Sequence, residues 1–188
     1  MKGVLLVNLG SPDSTSTKDV KKYLAEFLMD KMVMNMSYLF RLILVKGIIL
    51  RTRPEKSANA YRKIWWKEGS PLIVLSERLQ KKVQKLVDIP VSLGMRYGSM
   101  SIQKGLEELK SKGVDEVFVM PLYPHFAMSS YETVVEKAKT VQKDNFPNMN
   151  LKFLPVFYSN PDYIKVMLNN IKEQLKDFDY DHILFSYH

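Results

Sequence analysis

Short apolar runs alternate with longer amphipathic segments along most of this chain. "GVLLVNL" at residues 3–9 is an apolar run typical of a buried strand, and similar runs lie at 89–97, 115–124, 151–158 and 182–188. The segments between the later runs have the apolar spacing and length of helices, at 101–112, 130–143 and 160–178. Strands separated by such helices predict right-handed βαβ units and a parallel sheet covered on both faces.

A long helical stretch separates the first predicted strand from the second. Ser16 or Thr17 can cap its first helix. Pro54 stands in the favoured first-turn position of a later one. The helices expected in this stretch cover residues 16–29, 36–51, 54–66 and 71–87. We therefore predict a single α/β domain over residues 1–188, a doubly wound parallel sheet flanked by helices, with a helical insertion after the first strand.

Composition excludes several classes of protein. The chain of 188 residues is 46% hydrophobic and 26% charged, which is ordinary for a globular protein and argues against disorder. It contains no cysteine, so disulfides, thiolate catalysis and cysteine-held metals are excluded. The first apolar run is too short for a secretory signal, and Arg41 and Lys46 interrupt the apolar segment 36–50. We expect a cytoplasmic protein, although this segment could still lie on a membrane surface.

Positive charge is concentrated in the first third of the chain. Residues 1–66 hold 12 Lys and Arg against 5 Asp and Glu, a balance of +7 out of the total of +8. This is compatible with an anionic membrane surface, a nucleic acid, or a substrate with carboxylates or phosphates. The simpler interpretation is a solvated face over core helices. No nucleic-acid-binding signature occurs, so we expect no nucleic acid partner.

Ligands of doubly wound sheets bind outside the carboxyl ends of the strands. The side chains expected at this edge are mostly aromatic, basic or apolar: Leu9, Arg96, Tyr97, Tyr123, His125, Phe157, Tyr158, Ser186, Tyr187 and His188. The sequence has no dinucleotide or P-loop glycine motif, no nucleophile elbow and no H-E-x-x-H. Such an edge suits a flat hydrophobic ligand with a few anionic groups, in which Arg96 could pair with a carboxylate and Tyr97 or Tyr123 could stack.

Each candidate residue also has a structural interpretation. A lone rim histidine such as His125 is an ordinary surface residue more often than a ligand. Trp65 and Trp66 continue the helical spacing, so at least one is expected in the core. His182 begins its predicted strand, away from the carboxyl end where catalytic residues of this fold lie, and is expected at the surface or the edge of the core. His188 differs because it stands both at the carboxyl end of a predicted strand and at the last position of the chain.

Six blocks of sequence carry a resemblance to a known family. "GVLLVNLGSPDS", "YLAEFLMD", "YRKIWWKEGSPL", "GMRYGSMSI", "VMPLYPHFAMSS" and "FSYH" resemble ferrochelatases in order and separation. These enzymes insert ferrous iron into protoporphyrin to make haem. The resemblance implies a chelatase-like fold of two similar α/β lobes, with the porphyrin in the cleft between them. This chain resembles the amino-terminal lobe, and we expect that it has been cut after His188, so that the carboxyl-terminal lobe and its glutamate are absent.

The resemblance also implies roles for particular residues. His188 matches the family's essential histidine, either the base that takes pyrrole protons or a ligand of the entering iron, and an imidazole suits both. Arg96 and Tyr97 match the pocket pair, Leu9 a residue against the porphyrin face, and Ser70 a pocket loop. Two further substrate-binding candidates lie in the block after the third strand, Tyr123 and His125. "YLAEFLMD" and the apolar segment 36–50, together called the lip below, match the rim of the pocket mouth.

The implied mechanism is metallation by bending the porphyrin, which exposes a nitrogen lone pair to the metal. Ferrous iron is a substrate, and we expect no separate cofactor. One lobe cannot easily bend the ring, so we predict that this chain folds, binds porphyrin weakly and lacks efficient activity. Two alternatives stay open at this point: a chelatase that inserts cobalt or another metal into a different tetrapyrrole, and a non-enzymatic single lobe that binds a ligand or a partner domain.

Overall fold

Four parallel strands form the sheet in the computed structural model, which describes residues 1–184. The strands are β1 (Lys2–Gly10), β2 (Val91–Tyr97), β3 (Glu116–Pro121) and β4 (Asn150–Phe153). Their spatial order is β2-β1-β3-β4, so the chain moves to one side of β1 and then returns to the other. This reversal next to β1 confirms the predicted doubly wound α/β fold.

The register of the strands sets the edge at which a ligand would bind. Gly10 at the end of β1 is the neighbour of Tyr97 at the end of β2. On the other side of β1, Val7 is the neighbour of Pro121 at the end of β3. The carboxyl ends of these three strands therefore meet at one edge of the sheet.

Helices make up most of the remaining described residues. They are α1 (Thr17–Leu28), α2 (Tyr38–Leu42), α3 (Leu50–Ile64), α4 (Pro71–Gln84), α5 (Ile102–Ser111), α6 (Thr133–Asn145) and α7 (Pro161–Leu175). Ser16 caps α1 as predicted, because its hydroxyl accepts a hydrogen bond of 3.1 Å from the Asp19 N–H. The predicted helical insertion between β1 and β2 is confirmed, with α1 to α4 lying there.

The prediction of a break before Pro54 is wrong. Residues from Tyr38 to Ile64 form one continuous helical stretch, in which a π-helical segment, Ile43–Ile49, joins α2 to α3. Pro54 lies inside α3 and not in its first turn. A proline removes one helical hydrogen bond and crowds the carbonyl four residues earlier, so the backbone before it departs readily from regular α geometry.

Other predicted boundaries also shift, and one prediction is not tested. The third strand ends at Pro121 and not at 124. The fourth strand ends at Phe153 and not at 158, because Pro155 has no N–H with which to continue the ladder. A π-helical turn, Met128–Glu132, precedes α6, so regular α-helix starts at Thr133. Residues 182–184 have no strand pairing, and the rest of the predicted fifth strand, 185–188, lies outside the described residues.

Apolar side chains pack on both faces of the sheet. On one face, Leu5 and Val7 of β1 pack with residues of β3, α5 and α6: Val117, Val119, Ile102, Leu106, Leu109, Val134, Ala138 and Val141. On the other face, Val4 and Leu6 pack with β2 and α4. A third cluster holds the insertion together and comprises Val20, Leu24, Val45, Leu50 and Ala58. Two apolar clusters thus cover the two faces of the sheet, and a third lies within the helical insertion.

Candidate functional site

A cleft of about 310 Å³ opens at the carboxyl edge of the sheet. It lies between the loop after β1, the end of β2 and the amino terminus of α4. Its walls include Ser11, Trp65, Ser70, Met95 and Tyr97. Two of the predicted substrate-binding residues, Ser70 and Tyr97, therefore line the same cleft.

Two glycines allow the ends of β1 and β2 to approach each other. These strand ends are called the cleft floor below, because they lead into Ser11 and Tyr97 of the cleft wall. Gly10 has φ +101° and Gly98 has φ +96°, conformations that L side chains rarely adopt. A Cβ atom on Gly10 would lie 1.9 Å from the Tyr97 carbonyl oxygen, and one on Gly98 would lie 2.8 Å from the Ser11 carbonyl oxygen. The floor of the cleft is therefore backbone packed directly on backbone.

The cleft contains hydroxyl groups that the described part of the chain does not use. Ser11 is only 6% exposed, and its Oγ has no hydrogen-bond partner among residues 1–184. Ser70 is the buried N-cap residue of α4, but its side chain makes no capping hydrogen bond within the described residues. Since a buried hydroxyl without a partner is costly, Ser11 Oγ marks the cleft as a place where a polar ligand atom would be stabilised.

Arg96 was predicted to pair with a ligand carboxylate, but in the structure it pairs with Asp30 of the same chain. Asp30 Oδ2 accepts hydrogen bonds from Arg96 Nη2, from the Tyr97 hydroxyl at 2.8 Å and from Thr133 Oγ1 at 2.5 Å. Arg96 Nε also donates to Thr133 Oγ1 at 2.7 Å. The side chains of Asp30 and Arg96 are only 7% and 12% exposed. The four residues form a nearly buried polar cluster beside the cleft.

The Asp30 carboxylate is kept ionised inside this cluster. Burial by itself would raise the pKa of Asp30. Hydrogen bonds from Thr133, from the Met32 N–H and from Tyr97, together with the charge of Arg96, outweigh burial and hold the pKa below its ordinary value. The buried charge of Arg96 is therefore balanced by a partner from its own chain.

Tyr97 is enclosed on several sides and is only 1% exposed. Phe27 and Tyr23 of α1 meet its ring edge-on, at centroid distances of 5.2 Å and 6.4 Å. The Arg96 guanidinium lies 4.3 Å from the ring centre, and burial raises the pKa of the Tyr97 hydroxyl. Contact between Tyr97 and a ligand stays a prediction, and in this structure both faces of its ring are largely occupied by protein.

Three further predicted residues occupy different environments along the same edge. Leu9 is half-buried near the end of β1. Tyr123 packs against the α5–α6 core cluster, and its buried hydroxyl has no partner among residues 1–184. His125 is exposed and stacks on Tyr158, with ring centres 5.3 Å apart. The structure thus collects Ser70, Arg96 and Tyr97 around the cleft, whereas His125 lies in an exposed aromatic pair.

The lip exposes a row of large apolar side chains. More than half of each of the following side chains is accessible: Tyr38, Leu39, Phe40, Ile43 and Ile48. Arg41 holds the segment from inside by donating to the Met34 and Met36 carbonyl oxygens at 3.0 Å and 3.2 Å. Among residues 1–184, no helix has both the length and the apolar character needed to cross a membrane.

Comparison with known proteins decides the family. The family model described as ferrochelatase matches residues 1–188. The chain belongs to the ferrochelatase family. It is 45% identical over 186 residues to a ferrochelatase of Pseudomonas fluorescens biotype C, 46% identical over 186 residues to one of Azotobacter vinelandii, and 43% identical over 188 residues to one of Stutzerimonas stutzeri.

These alignments cover 98 to 100% of this chain but only 54% of each relative. The chain thus spans about half the length of the ferrochelatases it matches. The resemblance drawn from the six sequence blocks is confirmed. The match of His188 to the family's essential histidine stays a prediction, because His188 lies outside the described residues.

Sequence reasoning missed Asp30, Thr133 and Trp65. Asp30 and Thr133 are 103 positions apart and carry no local signal of their contact. The one available hint was that Asp30 is among only five acidic residues in the basic first third. The expectation of a tryptophan in the core is wrong, because Trp65 is half-buried in the cleft wall and Trp66 is 39% exposed. Helical spacing stops at Ile64, where α3 ends, so it no longer determines where these rings point.

Proposed function

We propose that this chain forms one lobe of a chelatase that inserts ferrous iron into protoporphyrin to give haem. The observation that carries the proposal is the family match over all 188 residues, in a chain whose strand-end cleft is lined by residues of the family blocks. The relatives are about twice as long, which supports a second lobe as the opposite wall of the site. Iron is a substrate in this scheme, and no separate cofactor is needed.

The cleft offers chemistry that suits the edge of a porphyrin. Trp65 and Ile73, both only partly buried, present apolar surface to a flat ring. The unused hydroxyls of Ser11 and Ser70 can bond to polar groups at its periphery. Arg96 supplies no net positive charge, because Asp30 balances it. We therefore assign Arg96 and Tyr97 to shaping the pocket, and the serines to direct polar contact.

His188 is proposed to work at the centre of the porphyrin. A neutral imidazole can accept a pyrrole proton near neutral pH and can also bind Fe²⁺, and the proposal leaves both roles to this residue. Bending of the ring needs a surface on each side, since distortion toward the transition state requires opposing contacts. One lobe should therefore bind the ring more readily than it metallates it.

The lip is proposed to touch a membrane surface peripherally, where a hydrophobic porphyrin could enter. Its exposed apolar row stands beside exposed basic residues, Lys46, Arg51 and Arg53. In sedimentation with vesicles containing anionic lipid, Phe40→Glu should release the chain. Leu86→Glu, which changes an 83% exposed leucine after α4, should leave binding unchanged. Equal sedimentation of the two variants would contradict a membrane role for the lip.

The function is tested by titrating protoporphyrin with the chain and then adding ferrous iron anaerobically. We expect a saturable Soret shift that Ser70→Ala weakens, followed by metallation much slower than that of a two-lobed relative assayed in parallel. His188→Ala should abolish the residual metallation, whereas His182→Ala, at an exposed histidine, should not. Absence of any Soret shift would refute a porphyrin site in this lobe. Insertion of cobalt but not iron would favour a different chelatase.

A further inference from the structure

Asp30 joins three parts of the chain that are distant in sequence. It follows α1 in the lip, Arg96 and Tyr97 end β2, and Thr133 begins α6 directly after the π-helical turn. The hydrogen bonds from Arg96 and Thr133 to Asp30 cross 66 and 103 positions of sequence. Within residues 1–184, no other side chain of the lip is hydrogen-bonded to both β2 and α6.

The directions of the hydrogen bonds in this cluster are fixed by chemistry. Arg96 can only donate, so Thr133 Oγ1 accepts from Arg96 Nε and must give its own proton to Asp30. The Tyr97 hydroxyl also donates to Asp30. Arg96 Nε also donates to the Thr133 carbonyl oxygen at 3.1 Å. Because Asp30 Oδ2 accepts from Arg96, Tyr97 and Thr133, the arrangement requires an ionised carboxylate at position 30.

The same residue organises the turn at 31–35 that joins the two parts of the lip, and the backbone N–H groups of this turn are called the lip amides below. Asp30 Oδ1 accepts the Met32 N–H at 2.8 Å, and the Asp30 carbonyl oxygen accepts the N–H groups of Val33 and Met34 at 3.1 Å and 2.9 Å. Met34 in turn receives a hydrogen bond from the buried Arg41. A substitution in the cluster should therefore weaken the hydrogen bonds of the turn that leads into the apolar part of the lip.

We infer that Asp30 is a positioning residue that holds Arg96 and Tyr97 in the wall of the cleft and fixes the base of the lip to the sheet. Its contacts stand on the structure alone, whereas their effect on a ligand rests on the proposed function. Thr133 completes the anchor, because it is 1% exposed and bonds to both members of the ion pair. The role is distinct from catalysis, since Asp30 and Thr133 act through the two cleft residues.

Thr133 offers the sharpest test, because Thr133→Val keeps the shape and removes the hydroxyl, while Thr133→Ser keeps the hydroxyl. Amide hydrogen exchange would be measured at Met32, Val33 and Met34, with Leu5 and Leu6 in the central strand as references for global stability. In Thr133→Val we expect exchange at the three lip amides to rise about tenfold more than at the references, since hydrogen bonds to charged groups are strong. Thr133→Ser should stay close to the unchanged protein.

Asp30→Asn should raise hydrogen exchange at the same amides at least as much as Thr133→Val does. Equal changes at the lip and reference amides in both variants would overturn the anchor. Protoporphyrin affinity, measured by the Soret shift, provides the second readout. We expect Thr133→Val to weaken it and Thr133→Ser to retain it. Faster hydrogen exchange at the lip amides together with an unchanged protoporphyrin affinity would contradict the inference that the cluster positions the cleft residues. If the unchanged chain gives no Soret shift, the proposed function fails, while the exchange result still decides the anchor.

Discussion

Replacing Gly10 with alanine should damage the sheet edge more than any ordinary glycine substitution would. Gly10 has φ +101°, so any L side chain there is strained. Its added Cβ would also lie 1.9 Å from the Tyr97 carbonyl oxygen, and that oxygen belongs to the backbone of the neighbouring strand. A flexible side chain could move away, but here β1 and β2 must separate at the edge that forms the cleft floor.

The cost can be worked out from these two effects. A non-glycine residue at positive φ costs on the order of 1–2 kcal/mol. Separating the strand ends also weakens the pairing of Gly10 with Tyr97, at roughly 0.5–1.5 kcal/mol for each backbone hydrogen bond lost. If one such bond is lost, we expect Gly10→Ala to lower the free energy of unfolding by about 1.5–3.5 kcal/mol. This is a large part of the roughly 5–15 kcal/mol typical of a domain.

Urea unfolding followed by circular dichroism would measure this loss, with Gly113→Ala as the matched control. Gly113 has φ +79° at the end of α5, but an added Cβ would meet nothing within 4 Å. The control therefore carries only the conformational cost of about 1–2 kcal/mol. If Gly10→Ala loses no more stability than Gly113→Ala, close backbone packing at the cleft floor is not what requires glycine.

Two further predictions concern the core and the polar cluster. Leu5→Ala should cost about 2–5 kcal/mol, because Leu5 is fully buried. Gly105→Ala should cost less unfolding free energy in the Leu5→Ala variant than in the unchanged chain, because the new Cβ would lie 2.5 Å from Leu5 Cδ1. Additive losses in a double-mutant cycle would contradict this contact. The lowered pKa of Asp30 stabilises the fold fully above its unfolded pKa of about 4, and this contribution is lost as pH falls through the folded value. The free energy of unfolding, measured by urea denaturation between pH 7 and 3, should therefore fall less in Asp30→Asn than in the unchanged chain.

Local sequence signals were sufficient for most of the fold. The apolar run of β1 and the serine caps of α1 and α5 depend on residues within a few positions of each other. A parallel sheet then follows from the alternation of strands and helices. This is why the doubly wound topology and the edge that carries the cleft were both predictable.

The contacts that build the site were not predictable in the same way. Arg96 was expected to meet a ligand carboxylate, and nothing near it in sequence reveals that Asp30, 66 positions earlier, occupies that place. The continuous helix around Pro54 was missed because a proline usually marks a helix start, while the apolar contacts of Val45, Leu50 and Ala58 hold this stretch together through tertiary packing. At Arg96 and around Pro54, contacts between residues distant in sequence determine the structure, and the local sequence preference does not.

Substitutions at two buried serines can distinguish a role in folding from a role in ligand binding. Ser92 donates to Glu108 at 2.6 Å, whereas Ser11 Oγ has no partner within the described residues. Ser92→Ala should therefore cost about 1–3 kcal/mol of unfolding free energy, and Ser11→Ala should be neutral or slightly stabilising. If the Ser11 hydroxyl serves the ligand, Ser11→Ala should weaken the protoporphyrin Soret titration without harming the fold, and Ser92→Ala should show the opposite pattern. A Ser11→Ala variant that loses stability but keeps its porphyrin affinity would show that the unpaired hydroxyl serves folding, and that the cleft does not bind the ring through this group.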